Sequence, residues 1–71
     1  MPNSVYKLVE VVGSSPESWE KAAQVAVETA GQTLRDLRVA EVEKLDIHLE
    51  NGRIAAYRVK VKLSFKYEPE E

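Results

Sequence analysis

The chain is 71 residues long, with no cysteine, one histidine and a formal net charge of −2. A domain of that length buries only about 60% of the surface its unfolded chain exposes, and this composition excludes a disulfide framework and any thiolate or multi-histidine metal site. Self-association is the remaining route to stability, while the slightly acidic balance gives no general affinity for nucleic acid or membrane and no apolar run approaches the ~20 residues of a spanning helix.

Along the chain, Val5 to Val12 is rich in β-branched residues and is closed by Gly13, which predicts a first strand. Ser14-Ser15-Pro16-Glu17 predicts a helix start, either with Ser15 as N-cap and Pro16 in the first helical position or with Ser14 and Glu17 as a capping box. Helical spacing then runs through Trp19, Ala23, Ala26, Ala30, Leu34 and Leu37, with Glu20, Lys21, Gln24, Glu28 and Arg35 turned outward. The stripe is narrow and mostly alanine, so the helix axis can lie close to a sheet whose strands supply the bulk. Strands are expected over Val39 to Glu50 and over Arg53 to Tyr67, and disorder over the acidic end Glu68-Pro69-Glu70-Glu71. The result is one α+β domain over residues 1–71, β-α-β-β in order. A tight hairpin between the last two strands leaves the first free to pair with the open side of the third, giving a three-stranded antiparallel sheet of order 1-3-2 around one helix.

Asn51-Gly52 between the last two strands is the preferred pair for a two-residue type I′ turn, in which both central residues take φ > 0. A strict ladder from that turn puts residues whose numbers sum to 103 opposite each other. One face then carries Ala40, Val42, Tyr57, Val59, Val61, Leu63 and Phe65, and the other carries Leu45, Ile47, Leu49, Ile54 and Ala56. A single helix covers one face, so the second apolar patch calls for a partner, and another copy of the chain is the simplest one. In the same register Glu43 faces Lys60 and Glu41 faces Lys62. That pairing reads the row Arg58, Lys60, Lys62 and Lys66 as a cross-strand charge ladder rather than a nucleic-acid surface.

Catalytic groups are sparse. His48 has no serine or cysteine nucleophile in a recognisable setting, which argues against an enzyme. Gly13-Ser14-Ser15 is accounted for by capping, and a lone glycine makes no nucleotide motif. Glu41, Glu43, Asp46, Glu50 and Asn51 offer hard oxygen ligands without the spacing of a dedicated cation loop, so within one subunit they read as solvated or paired charge, and a site assembled between subunits stays open. Trp19 opens the helix stripe and reads as a core residue. The amino terminus, Met1 to Tyr6, has no basic segment leading into an apolar one, and with the missing cysteines this points to the cytoplasm.

The segments Val5 to Trp19, Thr33 to Val42 and Tyr57 to Phe65 together resemble a dodecin over nearly the whole chain. The resemblance implies a hollow homododecamer with helices outside and strands lining the interior, and a non-enzymatic role in flavin storage or photoprotection. It also implies a flavin stacked on a strand-two tryptophan and contacted at its edge by a strand-three glutamine. Those two positions match Val39 and Arg58 here, so tight flavin binding is not expected. The run Asp36-Leu37-Arg38-Val39-Ala40 followed by Tyr57-Arg58-Val59-Lys60 is similar to a calcium-binding dodecin branch. The ligand-binding candidates are accordingly Val39, Glu41, Lys44 and Arg58, with Arg58 and Lys44 suited to an anionic group such as a phosphate-bearing cofactor. Glu17 matches a residue that some flavin-binding dodecins use near a divalent ion, and it is the metal candidate.

Overall fold

The computed structural model describes residues 3–67, so the expectation of disorder over 68–71 lies outside the described residues. The elements are β1 (Tyr6–Ser15), α1 (Trp19–Gly31), β2 (Leu37–Glu50) and β3 (Arg53–Lys66). All three strands are antiparallel in the order β1-β3-β2, as the hairpin argument requires. Asn51 and Gly52 have φ of 54° and 73°, the positive pair that a type I′ turn needs.

Val59, Val61 and Leu63 of the central strand are each 1% exposed and pack with Ala22 and Ala26 of α1. The alanines let the helix sit close. Gly13 in β1 extends that logic, because a Cβ there would overlap the Ala22 carbonyl oxygen and lie 2.8 Å from Ala26 Cβ. The helix seats chiefly on β1 and β3 and touches β2 little.

The helix starts later than Ser14 or Ser15 would have it. β1 continues to Ser15, which pairs with Tyr57, and the buried Ser15 hydroxyl accepts from the Glu17 N–H at 3.0 Å. Ser18 is the N-cap, its hydroxyl accepting from the Lys21 N–H at 3.0 Å. Ladder pairing thus takes the first two serines, and the third begins the helix. At the other end Gly31 closes α1, so Leu34 lies beyond the helix and Leu37 opens β2. Trp19 is half-buried rather than fully interior, with its Nε1 donating to the Asp46 carbonyl at 3.0 Å and its ring meeting Tyr57 edge-on at 5.1 Å.

The register summing to 103 holds for Val39 to Val42 and again for Leu49–Ile54 and Glu50–Arg53, and fails between them. An extra residue on β3 at Ala55 and another on β2 at Glu43 make two bulges, and Leu45, Asp46 and Ile47 pair one position away, with Val59, Arg58 and Tyr57. A third irregularity lies at Arg38. Since side chains alternate along a strand, the shift turns Leu45 and Ile47 onto the helix side with Val59 and Tyr57, and Leu49 and Ile54 follow them. The predicted second apolar face is therefore a lateral extension of the first. It remains uncovered: Val42, Leu45, Leu49 and Ile54 are all more than half exposed. The domain is drawn out to 53 Å by 20 Å by 15 Å, and the hairpin beyond the helix carries this apolar strip.

Candidate functional site

With Val59, Val61 and Leu63 committed to the helix, alternation along β3 sends Arg58, Lys60, Lys62 and Ser64 to the opposite face of the sheet. Their partners on both sides form rows across the three strands: Leu8–Ser64–Val39, Glu10–Lys62–Glu41, Val12–Lys60–Lys44 and Ser14–Arg58–Asp46. Val39, Glu41, Lys44 and Arg58 thus share the face turned away from the helix. Glu17 does not join them. It is exposed in the loop between β1 and α1, where its backbone N–H is held by Ser15.

Electrostatics on this face follow from the bulges. The predicted Glu43–Lys60 pair does not form, because Lys60 stands opposite Lys44 and reaches instead toward Glu10 at 3.7 Å. Glu43, displaced by its bulge, contacts Lys62 at 3.0 Å, although the ladder places Glu41 opposite that lysine. The hydrogen bond from Lys62 holds the Glu43 carboxyl below its ordinary range and raises the lysine in turn. Arg58 pairs with Asp46: Nε donates to Oδ1 at 2.8 Å and Nη2 donates to Oδ2 at 2.9 Å. Those bonds push the Asp46 carboxyl down and Arg58 up, and the nearby Lys44 adds to the hold on the ionised aspartate.

The face also carries exposed apolar groups, Tyr6, Leu8, Val12 and Val39. Even-numbered alternation along β1 was the signal for the first three. At the far end His48 Nε2 lies 3.4 Å from Glu50.

Geometry limits what one chain can do alone. Val39 lies level with Ser64, six residues along β3 from Arg58, which is about 20 Å at about 3.3 Å per residue. One small ligand cannot touch both within a single chain. Among the described residues, no three acidic or histidine groups converge where they would hold a metal ion, whereas calcium takes about 6–8 oxygen ligands. No helix among the described residues is long and apolar enough to cross a membrane.

Comparison with known proteins places this architecture. The Dodecin family model matches residues 5–68, and calcium dodecin from Mycobacterium tuberculosis is 42% identical over 66 residues, 93% of each chain. The chain belongs to the dodecin family. A dodecin from Thermus thermophilus is 38% identical over 64 residues, 90% of this chain and 93% of that one. Among solved structures, dodecin from Streptomyces coelicolor superposes with a TM-score of 0.91 at 40% identity, covering 99% of this chain and 100% of its own. The calcium dodecin of M. tuberculosis, described as a calcium-chelating antigen with a novel calcium-binding site, gives 0.83 at 41% identity, covering 96% and 97%. The dodecin fold is thus shared over nearly the whole chain.

Proposed function

We propose that this dodecin is a non-enzymatic small-ligand-binding and storage protein of the cytoplasm, assembled as a hollow homododecamer whose sheet faces line the interior. The observation that carries the reading is the placement of Val39, Glu41, Lys44 and Arg58 on one sheet face, too far apart to serve one ligand within a chain. Symmetry copies bring such groups together at subunit junctions. The uncovered strip Val42, Leu45, Ile47, Leu49 and Ile54 supplies the apolar contact that association needs. A hollow of about 310 Å³ between Trp19, Ala23, Val42, Leu45 and Val59 lies along the same strip and takes part in that contact.

Flavin binds weakly in this reading. Val39 stands where the resemblance implies a stacking tryptophan, and a lost aromatic pair removes roughly 0.5–1.5 kcal/mol beyond area burial. The exposed Leu8, Val12 and Val39 still offer apolar area to a ring. A divalent cation is the second reading, favoured by the 42% identity to a protein named for calcium. Glu17 and the carboxylates of the sheet face would contribute oxygens from several subunits.

Parallel titrations of dialysed protein with riboflavin, followed by fluorescence, and with calcium, followed by calorimetry, test the proposal. Weak riboflavin quenching or a calcium heat that saturates at a fixed ratio per chain supports it. Neither signal at millimolar ligand contradicts it.

A further inference from the structure

Arg58 is clamped by a single carboxylate. Its Nε and Nη2 donate to the two oxygens of Asp46 at 2.8 and 2.9 Å, the parallel bonds of a fork-to-fork pair. The bulges at Ala55 and Glu43 make this possible, because the segment between them is shifted by one residue and Asp46 stands directly opposite Arg58, where a short side chain reaches without stretching. So paired, Arg58 offers a ligand its flat guanidinium face and its Nη1 donors, but no uncompensated charge. An anion seeking the same guanidinium must either expel Asp46 or approach beside it against repulsion. A flat uncharged ring meets neither obstacle, since stacking uses the face of the group and leaves its bonded edge alone. Neighbouring cations are similarly engaged, Lys62 with Glu43 at 3.0 Å and Lys60 toward Glu10 at 3.7 Å, while Lys44, opposite Lys60, lies near the same Asp46 carboxylate.

We propose that Asp46 is the specificity-determining residue of the sheet face turned away from the helix, positioning Arg58 so that the site takes uncharged planar rings in preference to the same rings carrying a phosphate. The inference rests on the ligand-binding reading given above and adds to it the class of ligand and the residue that selects it.

Riboflavin and its 5′-phosphate share one ring system, so the ratio of their dissociation constants isolates the charge. Fluorescence titrations at fixed ionic strength compare the parent with Asp46→Asn and Asp46→Glu, each also in a Val39→Trp background that supplies a stacking face. The parent is expected to prefer riboflavin. Asp46→Asn should move the ratio toward the phosphate form by about tenfold, the size of one charge-assisted contact, while Asp46→Glu keeps the parent preference. A parent that prefers the phosphate form overturns the proposal, as does a ratio unchanged by Asp46→Asn while flavin still binds. Sedimentation and melting of each variant accompany the titrations, and a variant that loses stability without a change in the ratio assigns Asp46 a structural role and likewise overturns it. Absence of binding in every protein, Val39→Trp included, removes the ligand-binding reading itself, a result distinct from an unchanged ratio.

Discussion

Replacing Gly13 by alanine tests how α1 is seated on the sheet. Gly13 sits in β1 opposite Val59, directly beneath the helix, and an added Cβ would overlap the Ala22 carbonyl oxygen and approach Ala26 Cβ to 2.8 Å. Neither neighbour is the end of a flexible side chain, so the helix as a whole must lift by roughly 1–2 Å to restore ordinary contact near 4 Å. That movement loosens Val59, Val61 and Leu63, which are each only 1% exposed in the parent. Overpacking of this kind costs about 2–3 kcal/mol, which in a domain of this size lowers the melting temperature by about 10–20 °C. Circular dichroism melting reads the effect, with sedimentation run in parallel to separate loss of fold from loss of assembly. A Gly13→Ala protein that melts within about 2 °C of the parent would refute the close seating of α1 on β1.

The bulge at Glu43 predicts an order of damage among charge reversals. Lys62→Glu sets a fourth carboxylate beside Glu10, Glu41 and Glu43 and should lower the melting temperature, whereas Lys60→Glu exchanges a long contact with Glu10 for one with the facing Lys44 and should be nearly neutral; equal or reversed effects would restore the strict 103 register. Asp46 and Glu43 both have depressed folded-state values, so the stability they give is complete above the ordinary carboxylate range and is lost as the pH falls through those depressed values. A melting series downward from about pH 5 should therefore fall more gently for Asp46→Asn than for the parent, and parallel curves would count against the pair. Gly52→Ala meets no neighbour but must hold φ near 73°, and it should cost roughly 1–2 kcal/mol by chemical denaturation; an unchanged midpoint would argue against the type I′ turn.

Much of the fold was legible because its signals are local and strong. Asn51-Gly52 announces the turn, β-branched runs announce the strands, and the stripe Ala23, Ala26 and Ala30 announces a helix packed close to a sheet, although it is Ala22 rather than Ala23 that is fully buried. The bulges were not legible. They fall at Arg38, Glu43 and Ala55, residue types with no preference for the irregularity, and nothing in the alternation near the turn reveals a one-residue slip further along. That slip decides which face Leu45 and Ile47 occupy and which carboxylate Arg58 meets, so the apolar strip was assigned to the wrong side and Asp46 was seen only as a possible cation ligand. The helix start was misplaced for a related reason. Three serines compete near Pro16, and the long-range pairing of Ser15 with Tyr57 decides among them. Val39, Glu41 and Arg58 share a face under the strict ladder too, because two slips, at Ala55 and Glu43, cancel between the turn and Val39, whereas Lys44 lies between the slips and reaches that face only through them. Glu17 rested on the resemblance alone, and its loop position leaves it apart from the others.

Native mass spectrometry at micromolar protein tests the central claim most directly, because it reads subunit number and bound ligand together. The expected result is a species of twelve 8.0 kDa chains that gains mass in steps when calcium or riboflavin is added. A stable species of one or two chains with the strip from Val42 to Ile54 open to water would contradict the assembled shell, and with it every site built from more than one subunit.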